Sequence, residues 1–305
     1  MHIFKFGMAM IVCLLSQITT SAQTPIDAIM MAKGDVCFLL AYEHGTWDEY
    51  WEGTKLQSNG NIGTLTRNTV HPGFAFGVID RVNVLVDLPY VSTHASGGQM
   101  AGVKGFQDFS IAVKGNLIEK TLGKGTFYTL GTAGFSTRAT NYLSDYQPFS
   151  LGLGTQEFSL RGIVQYKFDN GLYVRGMGAH LWRTETTAER EYYYNNGSYY
   201  TDEMDVPNAW HYQAVAGWWL LDNSLKVEAA FTGLSSTSGD DIRPWNAGQP
   251  TNQAIWQKIG GSAQYYFPFV PGLSALMYYN TVVGGRNTGK LSTIGGGLTY
   301  IVSLY

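Results

Sequence analysis

The sequence predicts an all-β protein, a transmembrane, antiparallel, up-and-down β-barrel of about 12 strands. Three observations predict it. Apolar and polar residues alternate with period two through segments such as 82–91 and 156–168, longer than the roughly five or six residues of a strand in a globular sheet. Connections alternate between short turns and long polar or glycine-rich loops, as a barrel requires. Charged residues make up only 14% of the chain, against about a quarter in a soluble domain. No apolar stretch after the N-terminal region is long enough for a membrane helix, so a membrane location requires strands closed into a barrel.

The N-terminal residues read as an export signal. A weakly basic start (His2, Lys5), an apolar run from Gly7 to Leu15 and small residues at Ser21 and Ala22 predict cleavage after residue 22. The run is shorter than the ~20 residues of a bilayer helix. Met10, Ile11 and Val12 are not the small residues that precede a lipidated cysteine, so Cys13 leaves with the signal. Cys37 is then a lone, half-buried strand residue. Residues 23–34 are expected as a short periplasmic lead with one helical turn around 26–31, and residues 35–305 as the barrel.

Strands are predicted at 35–47, 63–77, 82–93, 106–117, 125–138, 156–168, 172–185, 209–220, 225–234, 254–267, 273–283 and 291–304. In 82–93, Val82, Val84, Val86, Leu88 and Tyr90 form an apolar face against Asn83 and Asp87. In 106–117, Phe109, Ile111, Val113 and Leu117 oppose Asp108, Ser110, Lys114 and Asn116. The clearest case is 156–168, where Phe158, Leu160, Val164, Tyr166 and Phe168 alternate with Glu157, Ser159, Arg161, Gln165 and Lys167. Leu225, Val227, Ala229 and Phe231 alternate with Lys226, Glu228 and Thr232. For 125–138 and 172–185 the pattern leaves the faces open. The connections 78–81, 169–171, 221–224 and 268–272 are short, whereas 93–105, 141–155, 187–208 and 235–252 are long. An even strand number puts both termini on the periplasmic side. Aromatic residues near strand ends, among them Trp47, Trp182, Trp210, Trp218 and Trp256, suit the water–lipid boundary. The last strand, with Leu298, Tyr300, Val302 and Leu304 and a terminal Tyr305, suits the barrel-insertion machinery, which joins outer-membrane lipid as an expected partner.

A family resemblance rests on two segments. The run from Gly77 through Asp80, Arg81 and Asp87 to Pro89 and Tyr90 is followed by a strand from Gly105 through Asp108 to Lys114. Together they resemble the phenol-degradation MetA-type outer-membrane transporter family. Gln107 and Phe76 depart from its pattern, which has glycine and tyrosine there. The segment Trp47-Asp-Glu-Tyr-Trp51-Glu-Gly is similar to Bacteroidetes members. The resemblance implies a transporter-like barrel.

In a barrel the polar faces look into the lumen, which makes Asp87, Asp108, Lys114, Glu157, Arg161, Lys167, Glu228 and Lys258 the candidate lumen-lining residues. Buried charges must pair or meet water. They therefore line a solute path or close the lumen as a plug of paired charges. The expected function is a transporter or channel in the cell outer membrane for a small solute, hydrophobic and aromatic ones included. The alternatives are a surface receptor, adhesion or structural barrel acting through loops such as the tyrosine-rich 191–200, and, as a third, an outer-membrane lipid hydrolase. Only His94 and Ser96 carry the hydrolase spacing, and they run into Gly97 and Gly98 with no orienting acid, so no enzyme activity is expected. His44, His71, His180 and His211 lack ligand spacing, as does the acidic pair Asp240 and Asp241, so no metal or cofactor is expected. The net charge of -3 gives no case for nucleic acid.

Overall fold

The computed structural model of the chain describes residues 23–304, so the expected export signal lies outside the described residues. Twelve long strands follow one another in a single antiparallel sheet. They are β1 (Asp35–Trp47), β2 (Leu65–Ile79), β3 (Val82–Asp87 continued by Tyr90–Ala95), β4 (Lys104–Phe106 continued by Asp108–Thr121), β5 (Gly125–Arg138) and β6 (Glu157–Phe168). The second half comprises β7 (Leu172–Arg183), β8 (Ala209–Leu220), β9 (Leu225–Ser236), β10 (Ile255–Tyr266), β11 (Leu273–Arg286) and β12 (Ser292–Ser303). β1 pairs with β12 from Asp35↔Ser303 to Thr46↔Ser292 and with β2 from Val36↔Phe76 to Trp47↔Leu65. Those two ladders close the barrel and leave no open edge, the condition for backbone in lipid.

Each strand lies within a few residues of its expected position. Pro89, which cannot donate to a ladder, marks the break in β3. There Leu88 N–H turns to the Pro72 carbonyl at 3.2 Å and the Pro89 carbonyl accepts from Gln107 N–H at 2.9 Å. Short turns occupy one end of the barrel; in one of them Gly171, at φ 87°, takes a conformation that favours glycine. Long connections crowd the opposite, outer end and carry small hairpins of their own, such as Glu49–Glu52 with Lys55–Ser58 and Tyr193–Tyr194 with Ser198–Tyr199.

The outer wall is apolar. Leu40, Leu160, Val174, Met277, Ile294 and Leu298 are exposed there, as a lipid-facing belt requires, with Trp182, Trp210 and Trp218 near its rims. Apolar contacts inside include those between the wall and the N-terminal segment. Residues 23–34 do not form the expected periplasmic lead, and no helical turn forms at 26–31. The segment folds back into the lumen instead. Ile26, Ala28 and Met30 pack on Leu130, Ile163, Met177, Ala179 and Leu181, and Met31 joins Cys37, Ala75, Leu85 and Ala112. Its apolar side chains find inward-facing apolar positions on β5, β6 and β7, and that burial keeps the segment inside. Cys37 is accordingly buried rather than half-buried.

Candidate functional site

The lumen is organised around Asp27. Its carboxylate accepts from its own turn, taking Thr24 N–H at 2.5 Å, Thr24 Oγ1 at 2.7 Å and Ile29 N–H at 2.9 Å. A fourth donor comes from the wall: Lys114 Nζ reaches Asp27 Oδ1 at 2.6 Å and also donates to the Thr24 carbonyl at 2.9 Å. Lys114 has no exposed surface, so this is an ion pair removed from water, tolerable because both charges are matched and hydrogen-bonded. Asn83 supports the same segment. Its side chain accepts from Met31 N–H at 3.0 Å and from Gln23 Nε2 at 2.8 Å, and donates to the Met31 carbonyl at 3.1 Å. Thr132 Oγ1 donates to the Pro25 carbonyl at 3.1 Å. The N-terminal segment is thus a plug fastened by side chains of β3, β4 and β5.

Beyond the plug lies a cavity of about 480 Å³. Its apolar walls include Leu39, Ala41, Leu85, Val215 and Leu276, and its polar groups carry both signs. On one side His71 bridges two acids, Glu43 at 3.6 Å and Asp87 at 3.4 Å. On another, Glu228 accepts from Arg175 at 3.0 Å and Tyr173 at 2.6 Å. Two tyrosines reach their glutamates by one device. Tyr173 pairs with Gly217, which in turn pairs with Glu228, and its ring lies where a side chain at 217 would be. Tyr278 crosses Gly295 in the same way to donate to Glu43 at 2.7 Å. A glycine on the inward face lets each phenol span two strands.

The remaining residues singled out in the sequence sit around this centre. Glu157 pairs with Arg183 at 2.8 Å, while Arg161 Nη1 donates to Ser159 Oγ at 3.0 Å. Lys258 Nζ lies 5.0 Å from the centre of the Trp256 ring, and Lys167 Nζ 5.3 Å from that of Trp219. Asp108 stands at the outer mouth, where Tyr142 donates to it at 2.5 Å. There the connection after β5 folds inward: Phe149 is fully buried, and Arg67 holds the Ser150 and Leu151 carbonyls at 3.2 and 2.6 Å. Asp27, Arg175, Glu43, His71, Tyr173 and Tyr278 were not among the sequence candidates, since only pairing across the lumen reveals them.

Other features of the sequence have structural partners. Ser96 Oγ accepts from Thr64 N–H at 2.8 Å, and among the described residues no hydrogen bond joins it to His94. Asp240 accepts from Asn246 and Asn252, each at 2.8 Å, while Asp241 takes both guanidinium arms of Arg286 at 2.7 and 2.8 Å. The Tyr194 carbonyl accepts from Asn246 at 3.5 Å and from Gln249, which ties the tyrosine-rich loop to the 240–252 loop.

No protein-family model and no curated protein sequence matches this chain. Among solved structures, it is similar to an outer-membrane channel from Pseudomonas putida F1 at 13% identity and a TM-score of 0.72, over 92% of this chain and 100% of that one. Looser similarities, at TM-scores of 0.45 and 0.46, join it to the translocator domain of autotransporter NalP from Neisseria meningitidis (14% identity, 88% and 89% of the two chains) and to the monoaromatic hydrocarbon channel TodX as a deletion mutant (8% identity, 90% and 91%). Closed ladders, an apolar belt and this likeness together make the chain an outer-membrane β-barrel by fold and by location.

Proposed function

We propose that the protein is a plugged channel that passes a small solute across the outer membrane, and that residues 23–31 are its gate. The cavity carries the argument: about 480 Å³ of space, walled by aliphatic side chains and lined by both charge signs, lies against a segment fastened mainly through side chains. A fixed structural filler would leave no such space. The aliphatic walls favour a solute with an apolar body. The similar Pseudomonas protein is a channel, and the resemblance of residues 77–90 and 105–114 to MetA-type transporters supports the same reading.

The test is ion conductance in planar bilayers, comparing the chain with a variant lacking residues 23–31. Conductance is expected to rise severalfold on deletion. An unchanged, near-zero conductance in a variant that keeps its barrel mobility on a gel would overturn the gate, and the channel with it.

A further inference from the structure

The outer wall is not uniform around its outer rim. On β6, β7 and β8 the exposed side chains next to the outer strand ends are Phe158, Trp182 and Trp210. On β1 to β4 they are polar. Cross-strand pairing sets four of them side by side in one row: His44 pairs with Asn68, Asn68 with Ser92, and Ser92 with Lys104. Three interstrand steps make that row about 14 Å wide. One row further out, Thr46 pairs with Thr66 and Thr66 with His94. The alternate residues of these strands face the lumen, where Arg67 holds the Ser150 and Leu151 carbonyls and Thr93 Oγ1 donates to the Phe149 carbonyl at 2.9 Å. Both polar rows therefore face outward, and His44, His94 and Lys104 are exposed.

On the membrane side of the polar row, the next row is Tyr42, Val70, Tyr90 and Phe106, with the Tyr90 and Phe106 rings edge to face at 5.3 Å. Phe38, Leu40 and Phe74 continue the apolar wall below it. Apolar, then aromatic, then hydrogen-bonding is the order of hydrocarbon, boundary and headgroup in a bilayer leaflet. Within the polar row the donors are arranged by their neighbours. Asn68 Oδ1 accepts from the Tyr42 hydroxyl at 2.9 Å and from His44 Nδ1–H at 2.8 Å. Both lone pairs of that oxygen are then used, which leaves the N–H groups of the Asn68 amide to donate elsewhere. Among the described residues neither Lys104 nor His94 forms an ion pair; Asp48 lies beyond the end of β1, and Glu189 shares a surface hollow with Lys104 without pairing to it.

We infer that His44, Asn68, Ser92, His94 and Lys104 form a binding site for the phosphorylated headgroup of an outer-leaflet lipid, whose acyl chains lie on the apolar wall below. Phosphate oxygens accept several hydrogen bonds at once, and an ammonium with hydroxyl and amide donors beside it answers both their charge and their number. Basic groups at the headgroup level are what recognise anionic lipids in general. The polar rows continue the lipid-facing wall strand by strand, so the occupant is a lipid and not a soluble anion. The site lies on the outside of the barrel and stands independently of the channel reading.

The test is native mass spectrometry of the mature protein in detergent, titrated with diphosphoryl lipid A and with the same lipid after removal of its phosphates. The phosphorylated form is expected to bind at least about tenfold more tightly, as a charge-assisted contact gives. The triple variant His44→Gln, His94→Gln, Lys104→Gln changes only exposed side chains and is expected to lose that preference while binding the dephosphorylated lipid as the parent does. Lys290→Gln is the control: Lys290 is held by Glu49 at 2.6 Å among the outer connections, away from the two rows, and its loss should leave the preference intact. Equal binding of the two lipids by the parent, or an undiminished preference in the triple variant, would overturn the site. So would an equal loss in Lys290→Gln, which would mark attraction to the general charge of the outer loops.

Discussion

Lys114 shows how much one side chain carries here. Its ammonium has no exposed surface, and among the described residues its hydrogen-bond partners are plug atoms, Asp27 Oδ1 and the Thr24 carbonyl. Replacing it by methionine keeps the volume but strands the Asp27 carboxylate in the lumen, a loss of about 3–5 kcal/mol when one partner of a buried pair is removed. Lys114→Met is expected to free the plug. A maleimide reagent should then label a cysteine at position 24 that it leaves unlabelled in the parent, and equal labelling would refute the latch. At the outer surface, Asp241 has the opposite dependence on solvent. Hydrogen bonds from Arg286 hold its carboxyl below the usual value of 3.8, with Asn287 and Arg243 adding to the effect. A depressed carboxylate stabilises the fold above its ordinary value and loses that stabilisation as pH falls through the folded-state value. Pepsin cleavage of the 240–252 loop should therefore rise as pH drops below about 3.8, and in Asp241→Asn it should be already high and flat with pH. Sequence placed Lys114 on a polar face, but its partner lies 87 residues away, and no local pattern connects the two.

At the level of elements, the tyrosine-over-glycine crossings join strands two apart, β7 to β9 and β11 to β1, on the lumenal face. Gly217→Val would drive a side chain into the Tyr173 ring and cut the bond to Glu228. Overpacking alone costs about 1–3 kcal/mol. Gly162 on β6 is a matched control, because a Cβ there meets nothing within 4 Å. Urea unfolding should shift to lower concentration for Gly217→Val and stay in place for Gly162→Val; equal shifts would deny the crossing its role. The same scale explains which strands were readable. Alternation was plain in β6, where Glu157, Ser159 and Arg161 face inward and Phe158, Leu160 and Val164 face out. It failed for β5 and β7 because Leu130, Met177, Ala179 and Leu181 face the lumen and pack against Ile26, Ala28 and Met30. Around those residues both faces of the strands carry apolar side chains, one set against lipid and one against the plug.

For the whole molecule, the barrel and its plug differ in how they are held. The barrel closes through continuous backbone ladders from β1 to β12 and from β1 to β2. The plug is tied by side chains, and the backbone bond from Gly34 N–H to the Gly77 carbonyl, 2.8 Å, comes only at its exit. Local opening is cheapest where ladder bonds are few. Amide exchange in residues 23–31 is therefore expected to precede that of β1 and β12, as mass spectrometry of exchanged peptides would show. Simultaneous exchange would mean that the plug belongs to the barrel's cooperative unit and does not act as a gate.

Sequence alone determined the barrel and the order and approximate ends of its strands, because a period-two pattern is local and lipid imposes it on every strand. Tertiary structure alone decided where residues 23–34 go and which charges meet. Tyr278 finds Glu43 across 235 residues and Lys114 finds Asp27 across 87, and both meetings depend on the circumference and closure of the barrel. The physical reason is that alternation says which face a residue occupies, whereas pairing across a lumen depends on how all the strands curve, and on a plug whose own sequence carries no period.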